Sequence, residues 1–418
     1  MTKIERVELL SSKKDFFYLF ALFTFLLIFS LAKEYYNYKE LTKFDSQLVH
    51  AKVLKQYQKK NHQVLKLKSN DGSIFYSITS KKTPNYKDKN IELEVWAGKI
   101  NFLSYLKGFF AFSKIIKVDT HSTYKEKISH SLSKVHADKV SDRIYQALYL
   151  AKPLPYQLQQ KFSNLGVSHL LAISGFHLGV LSTLLFFIIK YPYTLLQNNF
   201  FPYRNAKRDI FFIISTILLF YMFFLDSPPS LLRSYAMLIV GFILYDKGVK
   251  IISIQTLLIS ILLLLALFPR LIFSIGFFLS ISGVFYIFLF LIYFEKKSKV
   301  WQFLLLPFWV YLMMLPYSLT LFGNFSLYHP LSILFTSLFT LFYPLSIFLH
   351  FIGFGDSLDS ILQILVQLDT QAVKISLSKS ILYIEILLSL LALYKKEALV
   401  TLLIYNFSIF IYSIYYIA

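Results

Sequence analysis

The amino-acid sequence predicts a mainly α-helical, polytopic membrane protein with about ten spans that also carries a small exported β domain. Three observations predict it. Of the 418 residues 56% are hydrophobic, with a mean hydropathy of +0.56. A water-soluble fold of this size leaves roughly a quarter of its unfolded-chain area exposed and cannot hide that much apolar surface. Long apolar runs recur between short polar loops, and such runs take lipid as their solvent. One region near the N-terminus breaks the pattern and alternates polar with apolar residues, as strands do.

Net charge is +20. Basic cytoplasmic loops that orient the spans account for part of it, and a surface that attracts polyanions for the rest. Lysine dominates. The arginines are Arg6, Arg143, Arg204, Arg208, Arg233 and Arg270, so one at membrane depth requires a reason. The absence of cysteine excludes disulfides, iron–sulfur clusters and thiolate zinc sites and carries no information on compartment.

Residues 1–32 comprise a charged tail with Lys3, Arg6, Lys13 and Lys14, then an apolar run from Phe16 to Ala32. The run is a first span with the N-terminus in the cytoplasm. Its Ser30-Leu31-Ala32 end resembles a signal-peptidase site, although the run is long enough to remain as an anchor.

Residues 33–121 read as an exported β domain. Leu65 and Leu67 alternate with Lys66 and Lys68, Asn70-Asp71-Gly72 makes a turn, and Ile74, Tyr76 and Ile78 mark the return strand. Leu48 to Gln58 and Ile91 to Trp96 alternate as well. Short strands with a tight turn suit a five-stranded barrel of oligonucleotide-binding type, and an open sheet fits nearly as well. Between Lys43 and Lys117 there are fifteen lysines against the five acids Asp45, Asp71, Asp88, Glu92 and Glu94. Lys52, Lys55, Lys59, Lys60, Lys66, Lys68, Lys81 and Lys82 are among them, interleaved with Tyr57, Phe75, Tyr76, Tyr86 and Trp96. Such a surface suits a phosphate backbone and stacked bases. The alternative is an ordinary solvated face with the aromatics in the core.

Residues 122–165 have helical spacing, with Ile128, Leu132, Val135, Val140, Ile144 and Leu148 opposite lysines. This reads as an amphipathic helix, or a pair, on the membrane surface, ended by Pro153 and Pro155. Residues 166–418 are nearly all spans: Val167–Lys190, Ile210–Leu225, Leu231–Tyr245, Ile251–Phe268, Ile272–Phe294, Val300–Leu321, Leu327–Phe351, Ile381–Tyr394 and Leu399–Ile417. Basic loops at Arg204/Lys207/Arg208, Lys247/Lys250 and Lys296/Lys297/Lys299 alternate with lysine-poor ones, which places them in the cytoplasm. After residue 325 the parity breaks. Either Pro330 and Pro344 divide a re-entrant pair of half-helices, or the stretch Leu358 to Leu377, with Asp359, Gln363, Gln367 and Asp369 on one side, crosses within the bundle.

Polar groups at membrane depth need a partner or a wet path. Gly166 to Gly179 packs in His169, Ser174, Gly175 and His177. Helix packing through a Gly175/Gly179 small-xxx-small pair accounts for the glycines but not for both histidines. Asp226-Ser-Pro228-Pro229-Ser230-Leu-Leu-Arg233-Ser234 starts a helix on two prolines, with Arg233 one turn inside. That loop is expected on the outer face, where orientation supplies no reason for an arginine. A fixed positive charge near a helix N-terminus suits a phosphate in transit. Arg270, Asn324 and His329-Pro330 lie near span ends and read as snorkelling to water. Glu385 fits a proton relay or a pair with Lys379 or Lys395.

The stretch Ser168-His-Leu-Leu-Ala-Ile-Ser-Gly-Phe-His177 closely resembles the signature of ComEC-type competence proteins, the inner-membrane DNA channels of natural transformation. Pro228 to Ser234, Ile275-Gly-Phe-Phe-Leu-Ser280 and Gly323-Asn-Phe-Ser-Leu-Tyr-His-Pro330 resemble the family's second, third and fourth conserved stretches, in order. The resemblance implies transport of single-stranded DNA across the bacterial inner membrane. The strand would meet the exported domain and then a polar path of His169, Ser174, Gly175, His177, Pro228, Pro229, Arg233 and Ser234. It also implies as partners an exported receptor for double-stranded DNA and a cytosolic helicase-like motor. No nucleotide-binding phosphate loop occurs in the chain, so the drive would come from that motor or the proton-motive force. Many members end in a metallo-β-lactamase-like domain. This sequence has no histidine- and aspartate-rich metal motif, so degradation of the second strand is expected of a separate nuclease. No cofactor is expected. Two other functions stay open: an intramembrane serine hydrolase using Ser174 with His177 or His329, and a transporter of another phosphate-bearing anion.

Overall fold

The computed structural model describes residues 13–59, 61–119, 124–171, 173–248, 252–368 and 371–416. Lys3, Arg6, Lys60, Ala172, Lys250, Ile251, Asp369 and Ile417, named above, lie outside the described residues. The chain divides into two compact units. One joins residues 10–123 to 259–275, and the other holds 124–258 and 276–418.

In the first unit a helix, α1 (Lys13–Leu41), leads into β1 (Gln47–Lys59), β2 (His62–Ser69), β3 (Ile74–Ser80), β4 (Asn90–Trp96), α2 (Phe102–Lys107), β5 (Phe109–Phe110) and β6 (Phe112–Val118). The helix runs through Ser30-Leu31-Ala32, and Tyr38 near its end donates to the Ile100 carbonyl. The expected hairpin forms, with Gly72 at φ +85° closing the turn as only glycine does without strain. Strand order is β5-β3-β2-β1-β4-β6. Because β5 and β6 are adjacent in sequence, one segment covers both edges of the sheet. It runs parallel to β3 and then antiparallel to β4, and Ser77 Oγ meets Ser113 Oγ at 2.7 Å across the seam. Val53, Leu65, Leu67, Phe75, Leu93 and Tyr105 fill the interior. The inward face of the return strand is Phe75 and Ser77, while Ile74, Tyr76 and Ile78 look outward.

Residue Arg270 enters this unit on the returning segment. It pairs with Glu34 and stacks over the Tyr105 ring at 4.8 Å instead of snorkelling. Tyr105 donates to Asp71 at 2.8 Å. Burial and the Asp71 carboxylate push its phenol far above the ordinary value, so Tyr105 keeps the hydrogen it donates at neutral pH.

The second unit is helical: α3 (Tyr124–Val135), α4 (Lys139–Leu150), α5 (Tyr156–Asn164), α6 (Ser168–Leu171), α7 (Gly175–Phe200), α8 (Ala206–Phe224) and α9 (Pro229–Asp246). Helix α10 (Ile254–Leu267) runs from this unit into the first, and α11 (Ile275–Tyr293) and α12 (Lys299–Leu321) follow. A two-residue strand β7 (Asn324–Phe325), α13 (Ser332–Phe351), α14 (Asp359–Gln367), β8 (Val373–Lys374), α15 (Lys379–Leu391) and α16 (Lys396–Tyr415) complete it. Among the described residues six helices are long and apolar enough to cross a membrane: Phe17–Leu41, Gly175–Phe200, Ile275–Tyr293, Lys299–Leu321, His329–Phe351 and Lys396–Tyr415. The other expected spans fold as helices that are shorter or more polar. Lys207, Arg208 and Asp209 occupy the start of α8, Arg233 and Asp246 lie within α9, and α10 and α15 have 14 and 13 residues.

Two expectations are corrected here. Helix α13 is continuous through Pro344, so no re-entrant pair of half-helices forms. The stretch from Leu358 builds only the nine-residue α14, roughly 14 Å long, too short to cross. The apolar face of α4 is buried inside the unit, where Ile144, Tyr145 and Leu148, with Leu132 of α3, pack with Phe162, Leu170, Phe339 and Tyr343. Ile128 and Val135 of α3 stay exposed.

Candidate functional site

The helix expected from Val167 is broken. Gly166 takes φ +72°, α6 ends at Leu171, and Ser174 is extended (φ −132°, ψ 178°) before α7 begins. Its backbone N–H donates to His177 Nδ1 at 3.2 Å, and its hydroxyl lies 3.2 Å from the same nitrogen. The histidine thus takes the place of the glutamate that usually closes a capping box. A helix restarts here because Ser174 and His177 satisfy each other locally.

Helix α9 starts against this break. Asp226 and Ser227 both adopt left-handed backbone (φ 66° and 52°), a strained pair for residues with side chains. Lys125 holds Asp226 at 3.0 Å. Pro228 and Pro229 then open the helix, and no side chain caps it. Ser230 Oγ donates to the Ile173 carbonyl at 2.6 Å, and Ser234 Oγ to the Ser230 carbonyl at 2.9 Å. A Cβ on Gly175 would lie 2.5 Å from Ser234 Oγ, so only glycine lets α7 approach α9 so closely. Gly179 has no such contact, which leaves the small-xxx-small reading with one of its two glycines.

Arg233 is 6% exposed. It has no hydrogen bond or ion pair among the described residues, and its Nε is both enclosed and unsatisfied. An arginine so placed is costly unless something anionic visits it.

The fourth motif packs on the loop before α6. Ser326 donates to the Asn164 carbonyl, and Asn324 Nδ2 lies 3.5 Å from Ser163 Oγ. His329 is buried against Gly166, where an added Cβ would meet its ring at 3.2 Å. Neither residue snorkels. His169 is exposed and lies 3.3 Å from Thr336 Oγ1. The third motif forms the first turns of α11, whose Tyr286 belongs to a different cluster.

Ser174, Gly175, His177 and Ser234 therefore meet where α7 starts against α9, with Pro228 and Arg233 at the start of α9. His169 lies apart against Thr336, and among the described residues no open path joins them. His177 is wholly enclosed, edge-on to Tyr343 at 4.6 Å and Phe339 at 5.5 Å. Its Nε2 makes no well-formed hydrogen bond, the Leu170 backbone being its nearest partner. An open groove of about 490 Å³ beside it is apolar, lined by Phe176, Gly179, Val180, Thr183, Phe187 and Thr340 among others.

In the first unit the lysines share the outer face of β1–β3. Lys52 stands opposite Lys68 and Lys55 opposite Lys66, and Lys66 lies opposite Tyr76 with its ammonium 5.7 Å from the ring. Like charges directly opposite are unfavourable in a sheet unless an anion bridges them. Tyr57 is exposed near this face, whereas Phe75 is in the core. Lys81 and Lys82 are exposed in the turn after β3. Two of the five acids, Glu92 and Glu94, lie on β4, where they face Lys117 and Lys114.

Sequence reasoning missed a second polar cluster. His136 Nδ1 meets both Asp359 oxygens at 3.0 Å, and its Nε2 meets His350 Nε2 at 3.0 Å. His350 Nδ1 donates to the Ser346 carbonyl at 2.7 Å, and Tyr149 donates to Ser346 Oγ at 2.8 Å. His136 is over 200 positions from both His350 and Asp359, and no local spacing joins them. Glu385 pairs with neither lysine. It is fully buried with Tyr286 and Asn406.

No curated protein and no solved structure matches the chain. The family model of competence proteins matches residues 151–418, a range that holds all four motifs and the junction they build. The chain belongs to the competence protein family, of the ComEC type.

Proposed function

We propose that this chain conducts one strand of DNA across the bacterial inner membrane during natural transformation. The observation that carries the reading is Arg233, buried without a countercharge at the uncapped start of α9. A phosphate passing there would receive the guanidinium fork and the Ser230 N–H, since Pro229 has none and the Leu231 and Leu232 N–H groups bond to the Pro228 carbonyl. The lysine–tyrosine face of β1–β3 supports the same reading. The strand order, with one segment parallel to β3 and antiparallel to β4, supports reading this domain as an oligonucleotide-binding barrel, a fold whose β2–β3 face takes single strands. Lys52, Lys55, Lys66, Lys68, Lys81 and Lys82 are its proposed contacts. His169, Ser174, Gly175, His177, Pro228, Pro229, Arg233 and Ser234 form the proposed passage. It is shut in this structure by Phe339 and Tyr343, so α13 has to move off His177 for a strand to pass. An exported receptor would deliver the DNA, and a helicase-like motor or the proton gradient would drive it. A separate nuclease would degrade the other strand.

The test is import of labelled DNA in a transformable host. Cells lacking the chain should leave the label outside the inner membrane, and entry at the normal rate would exclude the reading. A serine hydrolase is the poorer account of the Ser174–His177 contact. His177 Nδ1 already accepts a backbone N–H, and among the described residues no carboxylate orients the ring. Ser174→Ala should reduce import severalfold, whereas a hydrolase would lose everything together with its labelling by serine-directed probes. Transport of another phosphate-bearing anion would leave single-stranded DNA unbound at low salt.

A further inference from the structure

The bundle of α11, α12, α15 and α16 encloses an ionisable group that the junction does not use. Glu385, in the middle of α15, has no exposed surface. Tyr286 Oη lies 2.7 Å from its Oε1, and Asn406 Nδ2 lies 2.9 Å from its Oε2. Tyr286 and Asn406 are near the midpoints of Ile275–Tyr293 and Lys396–Tyr415, two helices long and apolar enough to cross a membrane. The carboxyl group is therefore level with the middle of both.

Among the described residues no charge compensates it. The groups that face it are Tyr286 from α11, Tyr317 from α12, Ser389 from its own helix, and Asn406 and Tyr405 from α16. Lys379 and Lys395, at the two ends of α15, are exposed and do not reach it. A carboxylate without a countercharge is expensive in hydrocarbon, and a carboxylic acid is not.

The surrounding hydrogen bonds accept a proton without movement of any heavy atom. Tyr286 Oη is 2.8 Å from Ser389 Oγ as well as 2.7 Å from Glu385, and a hydroxyl both donates and accepts. With Glu385 ionised, Ser389 donates to Tyr286 and Tyr286 donates to the carboxylate. With a proton on Oε1, Glu385 donates to Tyr286, which turns its own hydrogen to Ser389. Asn406 donates to Oε2 in both states, its amide nitrogen fixed by a second bond to the Leu402 carbonyl at 2.9 Å.

We propose that Glu385 is a proton-binding site within this bundle, occupied at neutral pH. Resting on the transport reading, its loading and release couple passage of the strand to the proton gradient. A metal ion is the poorer occupant, because both carboxyl oxygens already face donors and Asn406 presents nitrogen, not oxygen.

Two experiments separate the site from the coupling. Hydrophobic carbodiimides react with protonated carboxyl groups in apolar surroundings. With the full chain in native membranes at pH 7.5, dicyclohexylcarbodiimide should label the peptide containing Glu385, a water-soluble carbodiimide should not, and Glu385→Gln should abolish the label. Failure of the hydrophobic reagent at pH 7.5, with labelling only in acid, would mean an ordinary carboxylate and overturn the site. For the coupling, DNA import by cells is measured with and without an uncoupler. The unsubstituted chain should lose at least tenfold on uncoupling, and Glu385→Gln, which mimics the loaded state and should be present at normal levels, should respond less than twofold. Equal sensitivity of the two chains would overturn the coupling. If the unsubstituted chain moves no DNA, the transport reading and the coupling fall together, and the labelling alone decides the site.

Discussion

Arg233 concentrates the conflict between folding and function in one side chain. A buried guanidinium without a partner destabilises the unit that holds it. Arg233→Met should leave thermal stability in detergent unchanged or raise it by about 1 kcal/mol or more, while DNA import falls at least tenfold, the equivalent of about 1.4 kcal/mol. A large loss of stability would instead mean that the arginine has a structural partner. Gly175 makes the opposite case. Gly175→Ala puts a methyl 2.5 Å from Ser234 Oγ and should cost about 1–3 kcal/mol in a melting experiment, part of which Ser234→Ala recovers. Arg233 was legible because prolines, an arginine and the absence of any orienting reason for a charge coincide in nine residues. The enclosure of His177 was not legible, since Phe339 and Tyr343 come from a helix more than 160 positions away.

At the scale of elements, the outer face of β1–β3 carries like charges where a sheet prefers opposite ones. Replacing both Lys55 and Lys66 by glutamine should stabilise the first unit by about 0.2–1 kcal/mol. In the full chain it should flatten the salt dependence of single-stranded DNA binding by about 1.4 in logarithmic slope, roughly 0.7 for each phosphate left without its lysine. An unchanged slope would assign these lysines to solvent. The His136–Asp359 pair ties the turn between α3 and α4 to the start of α14. His136→Ala should lower stability by about 1–3 kcal/mol by removing the partner of the half-buried Asp359 carboxylate, measurable as earlier thermal unfolding of the detergent-solubilised chain. Alternation and an Asn-Asp-Gly turn made β1 to β4 readable, but β6 (Phe112–Val118) lacks a clean alternation and was missed. Periodicity alone made one span of Val167–Lys190, because a capping box closed by histidine in place of glutamate reads as helix interior.

For the whole molecule, hydropathy identified the spanning character, while helix length and polarity reduced the clear crossings to six among the described residues. The difference lies in helices such as α8 and α9, where Arg208 pairs with Asp246 and such charges cannot be told from loop charges in sequence. What unites the second unit is the meeting of two interrupted segments, the α6–α7 break and the start of α9, at a buried positive charge. The most direct test is to trap a strand there. The chain has no cysteine, so Ser174→Cys and, as a control in the α15 bundle, Ser389→Cys each supply one thiol. A thiol-tagged DNA strand stalled during import by a bulky end group should form a disulfide at position 174 and none at 389. Stalled DNA that never reaches position 174, in a chain that still imports untagged DNA, would place the passage elsewhere.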